Sequence, residues 1–318
     1  METRISAVIC TYNRSKYLSK AILSLVGQSM SESAYEIIVV DNGSTDNTRY
    51  VVLEVFKGIH NLYYLNEPIL GLSQARNTGW RNAKGEYIAY LDDDAIAYPQ
   101  WLEKILDVFE TVRPKPGCVG GKIEPIWEAP RPQWLSDKVI PYLTIIDWSR
   151  KPVILKKKEW IAGANMAFPR NLLESVGGFQ VNLGREGRNL LSMEEILLRQ
   201  KIEKSGFYCF YHPEIAVRHH ILASRLTKAW FIRRSFWQGI SEAIASSHFE
   251  YISALKRLLK AASSTISLLL SPIKVIYIFL PTNNPDRFTS KLSSFSKMGY
   301  AIALLDIKIL KILLAKRK

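Results

Sequence analysis

Three aspartates stand in a row at Asp92-Asp93-Asp94, directly after the apolar run Tyr87-Ile88-Ala89-Tyr90-Leu91. Adjacent carboxylates repel one another, and a cluster at the end of a buried strand is destabilising unless a cation compensates it. Mg²⁺ is commonly held by one or two carboxylates together with phosphate oxygens of a substrate. The pattern suits a metal–diphosphate site or, with no cation, a solvated acidic loop. Asp41 ends a second apolar run and precedes Asn42-Gly43-Ser44-Thr45-Asp46. A carboxylate there can accept from a base N–H or a ribose hydroxyl, or can simply form the turn. Arg76, in Gly71-Leu72-Ser73-Gln74-Ala75-Arg76-Asn77, can donate to a base carbonyl or a phosphate. On an exposed helix face it would be an ordinary surface arginine.

The elements that must position these groups alternate along the chain. Residues 5–10 form a short β-branched apolar run, suited to a buried parallel strand. Residues 15–26 place Tyr17, Leu18, Ala21, Ile22 and Leu25 at three- and four-residue steps, the pattern of an amphipathic helix. Residues 35–40 read as a second strand, followed by a helix to about 56, a third strand at 62–65, a helix at 71–83 and a fourth strand at 86–91. Repeated strand–helix–strand units predict an α/β fold with an open, mostly parallel sheet flanked by helices. Ligands of such sheets bind beyond the carboxyl ends of the strands, so Asp41 and Asp92 to Asp94 fall on one edge. Residues 114–141, rich in Pro and Trp, read as loop. Residues 160–168, 207–211 and 215–217 read as further strands, and 192–205 as a helix.

The 318 residues can bury one large domain or two smaller ones, and a 47% hydrophobic, 23% charged composition argues against global disorder. The net charge of +14 is concentrated: residues 251–318 hold twelve Lys or Arg against two Asp. The excess therefore belongs to an apolar tail, and no nucleic-acid partner is expected. Within the tail, residues 262–280 are interrupted by Pro272 and Lys274, and residues 298–314 contain Asp306, Lys308 and Lys311. A spanning helix needs about 20 mostly apolar residues. These stretches read instead as basic amphipathic helices on an anionic membrane surface, or as ordinary packing helices. The domain boundary is placed between 1–240 and 241–318. Cys10, Cys118 and Cys209 form no C-x-x-C pair and are too few for a disulfide framework. Cys10 and Cys209 read as buried thiols. With no signal-peptide pattern at the start, the expected location is cytoplasmic, peripheral on the inner face of the cell membrane.

Taken in order, Ala7-Val8-Ile9-Cys10-Thr11-Tyr12-Asn13-Arg14, Val40-Asp41-Asn42-Gly43-Ser44-Thr45-Asp46, Ala75-Arg76-Asn77-Thr78-Gly79, Leu91-Asp92-Asp93-Asp94, Gly177-Gly178-Phe179 and Glu194-Glu195 resemble the family-2 glycosyltransferases of GT-A fold, of the bacterial polysaccharide type. The resemblance runs over roughly residues 3–240. It implies a nucleoside-diphosphate-sugar donor, favouring UDP, with Mg²⁺ or Mn²⁺, and an acceptor that is a saccharide or a lipid-linked saccharide. Thr11, Asn13, Arg14, Asp41, Arg76, Asp92 and Asp93 would bind the nucleotide. Asp94, with Asp92 and His220 or its neighbour His219, would hold the metal. The stretch Trp160-Ile161-Ala162-Gly163-Ala164-Asn165 would run beside the donor sugar and acceptor, with Trp237 available to stack on a sugar ring. Of the pair Glu194-Glu195, where relatives most often carry Glu-Asp, the second member would take the acceptor proton. A helix N-terminus favours its ionised form. The implied reaction is direct displacement with inversion at the anomeric carbon.

Two other readings stay open. A nucleotidyltransferase making nucleotide sugars needs a similar site, but its first strand normally runs into a glycine-rich loop, and here Thr11-Tyr12-Asn13-Arg14 follows. A membrane-bound non-catalytic scaffold is suggested by Met193 and Leu197, which stand where relatives carry a small and an acidic residue.

Overall fold

The computed structural model describes residues 3–187, 189–249, 254–269 and 279–305. The chain divides into two compact units. The first comprises Met1–Ile126, Thr144–Val181 and Glu195–His220; the second comprises Trp127–Leu143, Asn182–Glu194 and Ile221–Lys318.

A nine-stranded sheet organises the first unit. Its strands are β1 (Ile5–Thr11), β2 (Tyr35–Asp41), β3 (Leu62–Asn66), β4 (Tyr87–Asp92), β5 (Ala95–Ala97), β6 (Cys118–Trp127), β7 (Val153–Ile154), β8 (Met166–Pro169) and β9 (Cys209–Ile221). They lie in the order β3-β2-β1-β4-β8-β6-β9-β5, with β7 on β9. β1, β2, β3 and β4 pair in parallel, as the alternating pattern predicts. The rest does not: β8 runs antiparallel to β4 and to β6, and β9 runs antiparallel to β5 and β7. The sheet is therefore mixed rather than mostly parallel. The strand–helix alternation that signals parallel crossovers stops after β4, and with it the parallel geometry.

Helices α1 (Ser15–Val26), α2 (Thr48–Tyr50), α3 (Leu72–Asn82), α4 (Trp101–Thr111), α5 (Arg170–Ser175) and α6 (Glu194–Lys204) accompany these strands. β1 and β2 are buried along almost their whole length, as expected of strands covered on both faces. α1 buries Leu18, Ala21, Ile22 and Leu25, the stripe visible in the sequence. α3 packs so closely on the sheet that a Cβ on Gly79 would lie 2.5 Å from Val8 Cγ1. α4, unrecognised from the sequence, sinks Trp101, Leu102, Ile105, Leu106, Val108 and Phe109 into the core.

Three further expectations are corrected. The Pro- and Trp-rich stretch is not all loop, since it contains the ten-residue β6. The runs at 207–211 and 215–217 are one strand, β9, which carries Pro213 within it. Cys209 is not a free thiol: it is bonded to Cys118 across β6 and β9, with Cα atoms 4.6 Å apart. Strands adjacent in the sheet bring together two cysteines separated by 91 positions, which spacing alone does not reveal.

The second unit is mainly helical, with α7 (Lys228–Phe249), α8 (Ala254–Leu269) and α9 (Pro285–Leu305). α7 and α9 approach through glycines: a Cβ on Gly239 would meet the Ser296 carbonyl at 1.8 Å, and one on Gly299 the Phe236 carbonyl at 2.0 Å. Phe231, Phe288 and Trp134 form an edge-to-face aromatic cluster beside them. Of the two apolar tail stretches, residues 270–278 and 306–314 lie outside the described residues.

Candidate active site

The carboxyl ends of β1, β2 and β4 deliver the acidic groups to one edge of the sheet, because the three strands are parallel and in register, with Thr11 beside Asp41 and Cys10 beside Asp92. Asp93 turns inward: its two oxygens accept from the Thr11 hydroxyl at 2.8 Å and from Arg14 Nη1 at 2.9 Å. Asp94 pairs with Arg14 Nη2 at 2.5 Å and with His219 Nε2 at 3.1 Å. Asp92 remains the most open of the three, with 32% of its side chain exposed and Arg76 Nη2 3.7 Å away.

These carboxylates are crowded, and burial acts on Asp93. Loss of hydration raises the Asp93 carboxyl to about 7, with the negative charges of Asp94 and Asp92 adding to it and Arg14 and the Thr11 hydroxyl opposing. Burial also works against the Arg14 charge, but Asp93 and Asp94 outweigh it and push the guanidinium above its ordinary value.

One ligand atom each from Asp92, Asp94 and His219 lies within 4.8 Å of the others, a donor set of two carboxylates and an imidazole. These donors suit Mg²⁺ or Mn²⁺ completed by phosphate oxygens, with the imidazole the more comfortable on Mn²⁺. His219 Nδ1 is buried with no hydrogen-bond partner, and Nε2 is the atom that meets Asp94. His220, the residue named from sequence, is placed differently. Its ring stands edge-on to Tyr17, 5.2 Å between centroids, and its backbone N–H donates to the Asp94 carbonyl. Successive residues of a strand point to opposite faces, and the pairing of Ala95 with His219 puts that imidazole, not the next, among the carboxylates.

Asp41 is 2% exposed, and both its oxygens are engaged, one by the Ser44 N–H at 2.8 Å and one by the Tyr64 hydroxyl at 2.9 Å. Burial and this bond to Asp41 push the Tyr64 hydroxyl to about 12. An ionised carboxylate has about four lone-pair sites, so acceptor capacity remains. Asn13, in the left-handed region at φ 52°, accepts at Oδ1 from the backbone of Thr45 and Asp46. It ties the loop after β1 to the loop after β2.

Arg76 is the hub. It projects from α3 with 3% of its side chain exposed, its guanidinium 5.3 Å from the centroid of Phe179. Nη1 lies 3.4 Å from Glu195 Oε1, so one arginine touches both the Asp92 and the Glu195 carboxylates. Glu195 Oε1 also accepts from the Gly163 N–H at 3.2 Å. A Cβ at position 163 would fall 1.8 Å from Arg76 Nη2, so any larger residue there must displace the guanidinium.

Residues 6–176 match the profile of "Glycosyl transferase family 2". The chain belongs to that family. It is 29% identical over 245 residues to the "Glucosyl-dolichyl phosphate glucuronosyltransferase" of Haloferax volcanii, covering 76% of this chain and 77% of that one. Two further curated relatives are matched over 33% of their own length. Among solved structures, a mannosyltransferase of Pyrobaculum calidifontis in complex with GDP-Man and Mn²⁺ aligns with a TM-score of 0.63 at 20% identity, over 97% of this chain and 89% of that one. The S. aureus TarS 1-349 structure in complex with UDP-GlcNAc aligns at 0.58 and 14% identity, over 96% and 92%. At such identities the likeness is one of fold, and the fold is GT-A.

Within this family-2 chain the structure gathers Thr11, Arg14, Asp92, Asp93, Asp94 and His219 into one network, and Arg76 links it to Gly163 and Glu195. Asn165 does not join it. Its side chain donates to the carbonyls of Lys122 and Ile215 and accepts from Trp101 Nε1, pinning β6, β9 and α4 together inside the core. Ala164 is likewise fully buried. Glu194 (3% exposed) and the half-buried Trp237 belong to the second unit. There, Gln238 of α7 accepts from Ser192 Oγ and donates to Met193 Sδ, gripping a methionine at φ 79° two positions before Glu195.

Two contributors were missed in the sequence. Phe179 supplies the face under Arg76, and Asn77 fixes it by exchanging hydrogen bonds with the Phe179 backbone N–H and carbonyl. Both residues lie inside quoted motifs, but only the packing of Gly178 on Asn77 and Trp80 shows why they occur together.

Proposed function

We propose that this family-2 glycosyltransferase moves a sugar from a nucleoside-diphosphate sugar to an acceptor hydroxyl with inversion, in the assembly of a polysaccharide or glycolipid. The observation that supports this reading is the continuity Asp92–Arg76–Glu195, in which one buried arginine contacts a carboxylate of the candidate metal cluster and the carboxylate read as the base. Asp92, Asp94 and His219 would hold Mg²⁺ or Mn²⁺, whose charge stabilises the departing nucleoside diphosphate when the ion is bound. Glu195 takes the acceptor proton on its carboxylate as attack proceeds, its position held by the Gly163 N–H and Arg76. Arg76 orients the diphosphate side of the donor, and Asp41 accepts from the base. Asp93, Thr11 and Arg14 serve by holding Asp94 in place.

A lipid-linked saccharide acceptor is favoured by the relative named for glucosyl-dolichyl phosphate. It also fits a catalytic region of 1–240 followed by a cationic 241–318 region peripheral to the inner face of the membrane. No described helix is long and apolar enough to cross a membrane.

Calorimetric titration with UDP, GDP, dTDP and CDP, in Mn²⁺ or Mg²⁺ and again in EDTA, tests the donor site. Metal-dependent binding of one nucleotide is expected. Folded protein that binds none of them refutes the reading, and release of pyrophosphate in turnover would transfer it to nucleotidyl transfer.

A further inference from the structure

One side of α8 is committed to α9. Ala261 is 1% exposed, and Ser264 Oγ donates to the Lys297 carbonyl at 3.3 Å. The other side is not what a solvated helix presents. Leu258, Leu259 and Ile266 are 54%, 62% and 52% exposed, and Ala262 among them is exposed too. At about 100° per residue these four fall on a single arc about 100° wide, turned away from Ala261 and Ser264. Large aliphatic side chains left half in water forgo part of the burial free energy open to them, so three on one arc constitute a surface suited to contact.

The charge around it identifies the partner. Lys256 is exposed and Lys260 half-buried, both on the edge of the apolar arc toward α9. The sequence from 251 onward carries twelve Lys or Arg against two Asp. A second copy of the chain would bring the same excess of positive charge and be repelled. An anionic bilayer is complementary in both respects: acyl chains for the leucines, and phosphates for the ammonium groups, whose aliphatic stems can lie along the apolar surface. With 16 residues, α8 lies below the usual spanning length.

We propose that α8 lies in the interface of an anionic lipid bilayer, with Leu258, Leu259 and Ile266 entering the acyl boundary and Lys256 and Lys260 at the level of the lipid phosphates. The proposal rests on the peripheral-membrane reading and names its surface.

The test is flotation of the full chain with phosphatidylcholine vesicles, with and without phosphatidylglycerol, for the wild type and for L258E/L259E/I266E. The wild type should bind the phosphatidylglycerol vesicles preferentially, and the variant should bind them at least about tenfold more weakly. In parallel, hydrogen exchange on the wild type should show residues 254–269 protected on adding anionic vesicles, a measurement that needs no substitution. Variant binding equal to wild type, no protection of 254–269, or equal binding to neutral vesicles would each overturn the proposal. So would a wild-type dimer that the variant dissociates, which would make the arc a protein interface. Nucleotide titration of the same samples keeps the outcomes separate: a variant that loses vesicles but retains metal-dependent nucleotide binding bears on α8 alone.

Discussion

Gly163→Ala should disable the enzyme without unfolding it. The added Cβ would sit 1.8 Å from Arg76 Nη2 and 3.1 Å from Glu195 Oε1. Real Cβ contacts do not fall under 3.0 Å, so the guanidinium must retreat by more than an ångström. Arg76 is 2% exposed and lies over Phe179, so it cannot swing into solvent, and the displacement falls on its contacts with Asp92 and Glu195. The φ of Gly163 is outside the left-handed region, so contact rather than backbone strain decides the outcome. A misplacement of about 1 Å among reacting groups costs about 10²-fold in rate, equivalent to about 2.7 kcal/mol of barrier. The assay is kcat and kcat/KM for transfer, measured beside the melting temperature and the nucleotide affinity in Mn²⁺. The expected result is a fall of about 10²-fold in kcat with the melting temperature nearly unchanged. A folded G163A turning over within about threefold of wild type would refute the positioning argument, because the same displacement could not then matter to the reaction.

Four further outcomes follow from the geometry. Glu195→Gln should abolish transfer while leaving metal-dependent nucleotide binding within a few-fold; normal turnover would remove Glu195 from the role of base. His219→Ala should weaken the Mn²⁺-dependent part of nucleotide binding at least about tenfold, and His220→Ala much less; the reverse order would restore the assignment made from sequence. Burial raises the Cys10 thiol from 9.0 to about 12, so at pH 8 the folded protein should resist iodoacetamide. Only one thiol should then appear on denaturation and three after reduction, since Cys118 and Cys209 are bonded; two or more fast-reacting native thiols would contradict the structure. Burial tends to raise the Asp46 carboxyl, but hydrogen bonds from Thr48 and Ser15 outweigh it and hold the group below 3.8. Its contribution to stability is present above that pH and is lost as pH falls through the lower folded value. Asp46→Ala should therefore lose stability at neutral pH and show a shallower acid limb; an unchanged acid limb would count against this.

Legibility followed the kind of signal each element carries. β1 to β4 and α1 announce themselves because buried parallel strands are unbroken apolar runs and a core-facing helix repeats at three and four residues. The edge holding Asp41 and Asp92 was legible for the same reason, since it is simply where those runs end. β6 was hidden by the prolines and tryptophans of its stretch, and its own packing adds to that. Gly121 stands where a Cβ would meet the Ile215 carbonyl at 1.8 Å, and a glycine demanded by close backbone approach reads in sequence as a break. Pro213 split β9 in the same way. The choice between His219 and His220 turns on strand phase, which one residue inverts, and no composition signal sets that phase. Asn165 was placed beside the donor sugar and acceptor by the family resemblance alone. Only its three hydrogen bonds to Lys122, Ile215 and Trp101 reveal it as a core cross-link.

The Cys118–Cys209 bond also divides the site by descent along the chain. Thr11, Asp41, Arg76 and the three aspartates are all encoded before the ring that this bond closes, whereas Gly163, Phe179 and Glu195 lie inside it. The ring's ends are pinned with Cα atoms 4.6 Å apart whatever lies between them. On the proposed reading, the groups assigned to nucleotide and metal stand outside the ring, before it and at His219 after it, while the candidate base Glu195 stands inside it beside Gly163 and Phe179.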